Sequence, residues 1–290
     1  MLDFKEVTKF YGKIRGVEDL SFQVAPGEIL GIIGENGSGK TTTFRLLLSL
    51  LELDQGEITL NFKPIRETSS NLFGYLPEER SLFQDLSVKN QLLFFAQLKN
   101  MTKQEADSAI DYWLEKLKIS HYENSKVKAL SKGNQQKIQL IVALLHDPLI
   151  IILDEPFTGL DGENVQIFKD ILIELQKKNK YLLISSHQYD IFEEFASKIL
   201  VIKNGIKKHF DYLSALKLKQ TKRAVTILDT SENYYNYQGV YEVITLGKRV
   251  RIIFENEDFA LKFIRQNLSN YPLEFLKIEL LPLVDLMSDL

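Results

Sequence analysis

The chain has no cysteine. Disulfides and thiolate metal sites are thereby excluded, and the composition fits a reducing compartment. Long apolar runs are missing too. Those that exist, such as Leu46-Leu47-Leu48 and Leu149-Ile150-Ile151-Ile152-Leu153, fall far short of the about 20 residues that cross a bilayer. A membrane process served by this chain needs its channel from another polypeptide. The opening Met1-Leu2-Asp3-Phe4-Lys5-Glu6 carries acids and no apolar stretch, so no secretory signal is expected there. Neither sign of charge is in excess: 36 Lys and Arg against 39 Asp and Glu leave a net charge of −3. No bulk field favours an anionic bilayer or nucleic acid, and no nucleic-acid partner is expected.

What is present is the composition of a packed protein. With 44% hydrophobic and 26% charged residues, the chain buries a core rather than staying disordered. Its 290 residues give room for one large and one small domain. Ile29 to Ile33, Leu149 to Leu153, Tyr181 to Ile184 and Ile199 to Ile202 are uninterrupted apolar runs. That is the pattern of strands buried on both faces of a parallel sheet. Phe4 to Val7 and Glu57 to Leu60 read as edge or antiparallel strands.

From about Ser87 to His146 no strand is evident. Ser87 is placed to cap a helix bearing Val88, Leu92 and Phe95. Thr102-Lys103-Gln104-Glu105 is a capping box. Ala106, Ile110, Trp113 and Leu117 then share one helical face. Beyond Asp211 the strand-like runs are Val225 to Ile227 and Val250 to Phe254, with a turn at Leu246-Gly247-Lys248 and a helix near 257–268. The expected architecture is an α/β domain over residues 1–211, with a mostly parallel core sheet, antiparallel edge strands and a helical subdomain near 87–146. A small α+β extension over 212–290 follows it.

Gly34-Glu35-Asn36-Gly37-Ser38-Gly39-Lys40-Thr41 fits G-x-x-x-x-G-K-[ST] throughout. An apolar strand precedes it and a helical run, Thr42 to Leu51, follows. That is the setting a phosphate loop requires. Glycines let the backbone wrap a phosphate with N–H groups pointing inward. The positive end of the helix adds to the attraction. Lys40 supplies a mobile charge for the β- and γ-phosphates, and the Thr41 hydroxyl is a ligand for Mg²⁺.

The run Leu149 to Leu153 ends in Asp154-Glu155. Acids at the end of a buried parallel strand sit at the carboxyl edge of the sheet, where open α/β sheets bind ligands. Asp154 is placed to hold Mg²⁺ through its water shell, and Glu155 to polarise an attacking water. His187 follows another apolar run at the same edge. Alone, a strand-end acid or a single histidine is ordinary. Three strand ends converging beside a phosphate loop point to a reaction site.

These stations, and what lies between them, resemble the ABC ATPase family over roughly Leu2 to Phe210. Where that family carries its LSGGQ signature, this chain reads Leu130-Ser131-Lys132-Gly133-Asn134. Ser131 and Gly133 are kept, lysine replaces the first glycine, and asparagine replaces the glutamine. A lysine in that slot resembles a variant of exporter-type members. Ser131 can cap a helix running toward His146, and such a helix start is an anion-binding device. The resemblance implies that Ser131 to Asn134 face the ATP of a second subunit. It also implies that Gly34 to Thr42 cradle the chain's own ATP and that Tyr11 stacks on adenine. Asp161, within Thr158-Gly159-Leu160-Asp161, resembles the D-loop that meets the other subunit. Gly74 to Arg80 occupies the Q-loop, with Glu78 in place of the usual glutamine as a metal contact.

The implied function is that of an ATP-hydrolysing subunit powering a separate membrane permease, in the exporter manner, from the cytoplasmic face of the membrane. Its implied cofactors are ATP and Mg²⁺, with Thr41, Glu78 and Asp154 toward the metal and Glu155 and His187 toward hydrolysis. Its implied partners are a second ATPase subunit, identical or not, and the permease. The alternative is a soluble ABC ATPase of a cytosolic assembly or regulatory machine.

Overall fold

The structure, a computed structural model, describes residues 1–218, 221–229, 232–268 and 277–281. The chain divides into two units, Met1–Asp211 and Tyr212–Leu290. The first begins β1 (Leu2–Tyr11), β2 (Ile14–Val24), β3 (Ile29–Ile33), α1 (Lys40–Leu47), β4 (Gln55–Leu60), β5 (Lys63–Pro64) and β6 (Phe73–Leu76). Three helices follow: α2 (Val88–Leu98), α3 (Lys103–Lys116) and α4 (Lys132–Leu144). It closes with β7 (Ile150–Asp154), α5 (Gly162–Lys177), β8 (Tyr181–Ser186), β9 (Lys198–Lys203) and β10 (Ile206–Tyr212).

These strands form one ten-stranded sheet in the order β5-β4-β1-β2-β10-β9-β3-β8-β7-β6. The segment from β9 to β6 is parallel, whereas β1, β2, β4 and β5 pair antiparallel. Strands β3, β7 and β8 are buried at every residue, which is why none carries a polar face. All three run to the same edge, so the loops after them meet there.

The structure corrects the sequence reading at several places. Helix α1 starts at Lys40 and stops at Leu47, short of Leu51, because the chain turns at Ser49, whose φ is 55°. Strand β2 has no counterpart in that reading: its charges hide an alternation that buries Val17, Leu20, Phe22 and Val24. Strand β6 is only four residues long, too short for periodicity to mark. In α2 the buried stripe is Val88, Leu92 and Ala96, while Phe95 is half-buried against Phe83 and Phe94.

The capping box at the start of α3 makes both of its bonds. Ala106, Ile110, Trp113 and Leu117 are all buried. Burying each of the larger three stabilises the fold by about 1.5–3 kcal/mol.

The second unit opens with α6 (Leu213–Leu218), then β11 (Arg223–Leu228), β12 (Val240–Leu246), β13 (Arg249–Phe254), α7 (Glu257–Asn267) and β14 (Lys277–Leu280). Its strands form an antiparallel sheet ordered β12-β13-β11-β14. Helix α7 sets Ala260 and Phe263 into a core with Val225, Ile227, Ile252 and Phe254. Gly247, at φ 64°, turns β12 into β13. The expected extension includes 282–290, which lies outside the described residues.

Candidate active site

Strand β3 delivers the chain to the sheet edge, and the phosphate loop begins there. Gly34 is wedged in place: a Cβ on it would lie 2.4 Å from the Ile202 carbonyl and 2.4 Å from Ser38 Oγ. Gly39 has φ 112°, and a Cβ there would meet the Gly16 carbonyl at 2.6 Å. Only glycine turns the loop into α1. Glu35, Asn36 and Gly37 are exposed, whereas Ser38 and Lys40 are buried. The Lys40 ammonium donates to the backbone carbonyls of Gly34 at 2.8 Å and Glu35 at 3.2 Å. Ser38 Oγ is buried without a hydrogen-bond partner among the described residues. Such an atom costs about 1–3 kcal/mol, a cost that a ligand oxygen would relieve.

Asp154 is 1% exposed and ties three elements together. Its Oδ2 accepts from Thr41 Oγ1 at 2.8 Å, and its Oδ1 accepts from Ser185 Oγ. Ser185 Oγ in turn accepts the Glu155 backbone N–H at 3.0 Å. Glu155 has φ 50°, in the left-handed region, which costs a non-glycine residue about 1–2 kcal/mol. Its Oε2 lies 2.8 Å from His187 Nδ1, which donates when that nitrogen holds the proton. Its Oε1 stands 3.9 Å from Lys40 Nζ and, although buried, has no hydrogen-bond partner among the described residues. Burial pushes the Glu155 carboxyl above its ordinary range, against the pull of His187 and Lys40.

The other expected residues arrange themselves around this centre. Tyr11 is 43% exposed, with its hydroxyl 3.4 Å from Thr42 Oγ1 at the start of α1. Glu78 is exposed just beyond β6. On β6 itself, Tyr75 has its hydroxyl pushed up to about 12, by burial first and then by the Asp154 charge. Ser131 caps α4, accepting from Asn134 N–H at 3.3 Å, and both Ser131 and Lys132 are exposed. Asp161 caps α5, accepting from Asn164 N–H at 2.9 Å. Gly133 faces this second cap: a Cβ on it would sit 3.7 Å from the Gly159 carbonyl.

The structure thus brings Lys40, Thr41, Asp154, Glu155 and His187 into one bonded network. Ser131, Lys132 and Asp161 are exposed, with Gly133 and Asn134 half-buried between them. The sequence reading does not include Ser185. Its signal is a hydroxyl ending an apolar run just before His187.

The family model described as ABC transporter matches residues 17–158. An uncharacterised ABC transporter ATP-binding protein of Methanocaldococcus jannaschii is 39% identical over 259 residues, covering 89% of this chain and 92% of its own length. This chain belongs to the ABC transporter ATP-binding proteins. Like other members of this ABC family, it is an ATPase coupled to transport. A Nod factor export ATP-binding protein I of Burkholderia orbicola is 35% identical over 209 residues, covering 71% of this chain and 69% of its own length.

Among solved structures, an ATP-binding subunit of an ABC transporter superposes with a TM-score of 0.70 at 27% identity, covering 76% of this chain and 92% of the other. A bacterial ABC transporter cassette solved as a dimer shares the fold, with a TM-score of 0.66 at 22% identity, over 73% of this chain and 99% of its own. Among the described residues, no helix is long and apolar enough to cross a membrane.

Proposed function

We propose that this ABC protein works as the energising subunit of an exporter, closing as a pair of ATPase chains around two ATP molecules against a membrane permease at the cytoplasmic face. The observation that carries the chemistry is Glu155. Its buried Oε1 has no hydrogen-bond partner among the described residues and faces Lys40 at 3.9 Å, while its Oε2 is held by His187. A carboxylate so placed receives a water proton, and its raised affinity for protons suits a base. When ATP enters, Lys40 exchanges the Gly34 and Glu35 carbonyls for phosphate oxygens, and the loop N–H groups surround the rest. Tyr11 takes the adenine.

The Thr41 hydroxyl and Asp154 form an oxygen pair suited to a hard cation. Among the described residues no cluster of three acidic, histidine or cysteine side chains could hold a metal by itself; Thr41 and Asp154 would hold Mg²⁺ together with oxygens of ATP and water, and Glu78 would serve as a further contact. Mg²⁺, when bound, supplies charge screening between the phosphates. His187 keeps Glu155 aimed and spreads the charge that develops there. Ser131 to Asn134 and Asp161 serve the ATP of the opposing subunit. The unit from Tyr212 onward supports the pair and carries no chemistry.

The relative named for export and the dimeric cassette support this reading. Its test is purification of the tagged chain from its own membranes, with phosphate release followed. A co-purifying chain of about six apolar spans, whose presence raises turnover, is expected. ATPase activity found only in a complex without any membrane chain would favour a cytosolic assembly machine instead.

A further inference from the structure

The segment after β6 does more than carry Glu78. Gln139, buried on α4, donates from Nε2 to the Glu79 carbonyl at 3.1 Å. Gln136, also buried on α4, donates to the Pro156 carbonyl at 3.2 Å. One helix therefore holds both the loop after β6 and the loop after β7. Breaking either bond would leave a buried glutamine amide without its acceptor, at a cost to the fold.

At its start, α4 presents Ser131 and Gly133. A Cβ on Gly133 would lie 3.7 Å from the Gly159 carbonyl, and a Cβ on Gly159 would lie 3.9 Å from Arg80 Nη2. Gly133, Gly159 and Arg80 thus follow one another along a single surface. Arg80 is exposed and, among the described residues, has no hydrogen-bond or ion-pair partner, although Glu78 and Glu79 precede it. The first turn of α4 contains no acid, so nothing within the helix neutralises its positive end. A guanidinium is a rigid fork of donors that matches phosphate oxygens.

We propose that Arg80 reaches across the dimer interface to the phosphates of the ATP held by the opposing subunit, as a second cationic element beside the signature. This rests on the reading that Ser131 and Gly133 face the partner's nucleotide.

The experiment compares Arg80→Ala, Arg80→Lys and Ser131→Arg in full-length chains. ATP affinity is first measured on dilute, monomeric protein with a fluorescent ATP analogue. Arg80→Ala should stay within about twofold of the parent, since a trans contact contributes nothing to a monomer. A loss as large as that of Lys40→Ala would place Arg80 on its own subunit's nucleotide and overturn the proposal. Association driven by MgATP is then followed by gel filtration in a Glu155→Gln background. Arg80→Ala should need about tenfold more ATP or greater, with part of the loss recovered by Arg80→Lys.

If Arg80→Ala associates like its parent while Ser131→Arg does not, the role of Arg80 falls and the signature reading stands. If Ser131→Arg also associates normally, both fall. Should the parent stay monomeric, the same variants are read by vanadate-trapped nucleotide in membranes carrying the assembled complex. Trapping by Arg80→Ala equal to wild type then overturns the proposal.

Discussion

The two halves of the proposed nucleotide site satisfy their polar groups in opposite ways. Lys40, Asp154 and Glu155 are each no more than 6% exposed and stand close to one another at the start of α1 and the end of β7. Ser131, Lys132, Arg80 and Asp161 are exposed, and the side chains of the two caps among them accept N–H groups of their own helix ends. The first half is preorganised: its dipoles are fixed before any ligand arrives, which is what electrostatic catalysis requires. The second stays solvated until another surface covers it, so little desolvation opposes its repeated opening. On the proposed function, chemistry is thus kept on the rigid side, and assembly on the wet side.

The strongest attempt to break this contrast is Glu155→Gln. Losing a general base lowers turnover by about 10²–10⁴-fold, or roughly 3–5 kcal/mol of barrier, and ATP affinity should hold. Phosphate release at the wild-type rate would remove Glu155 from the chemistry. Lys40→Ala comes next. Removing its charge-assisted hydrogen bond to phosphate weakens ATP binding about 10–100-fold, while Ser131→Arg leaves the isolated chain's affinity unchanged. Titration with a fluorescent analogue separates them, and equal losses would erase the distinction between the halves.

A pH series sharpens the contrast further. Folding raises the proton affinity of Glu155, mainly by burial, so its ionised form is a burden on the folded state. That burden is absent below the ordinary carboxyl value and grows as pH rises through the folded one. Glu155→Gln should therefore unfold at a higher temperature than wild type near pH 7.5. The advantage should fade on acidification toward pH 4.5, the group's ordinary value.

The smallest effect is expected away from the site, at Glu174, which Lys116 and Lys178 hold at about 2. Its depressed value means stabilisation present above the ordinary carboxyl range and lost as pH falls through about 2. Glu174 is partly exposed, so Glu174→Gln should cost only about 0.2–1 kcal/mol in denaturant titrations.

The rigid half is the more legible in sequence. A phosphate loop is defined by local spacing, and an acid ending an apolar strand announces its own position, so Lys40, Thr41, Asp154 and Glu155 can be read from neighbours alone. The parallel strands β3, β7, β8 and β9 are legible because continuous burial leaves continuous apolar runs. Strand β2 is not, since Glu18 and Asp19 interrupt its pattern, and β6 is too short. The bonds of Gln136, Gln139 and Ser185 join residues 20, 60 and 31 positions away in the chain. No local pattern encodes partners at such separations. The approach of Arg80 to Gly159 is of the same kind.

The backbone at Glu155 has a consequence for anyone selecting variants. Its φ of 50° suits asparagine or glycine better than glutamate, and its carboxyl is buried against its preference. Both features make position 155 a reservoir of easy gains for heat tolerance. A library screened only for survival at high temperature should accumulate asparagine and glycine there. If Glu155 is the base proposed above, the hardiest clones would then be idle enzymes, so such a screen must carry ATP turnover as a second gate.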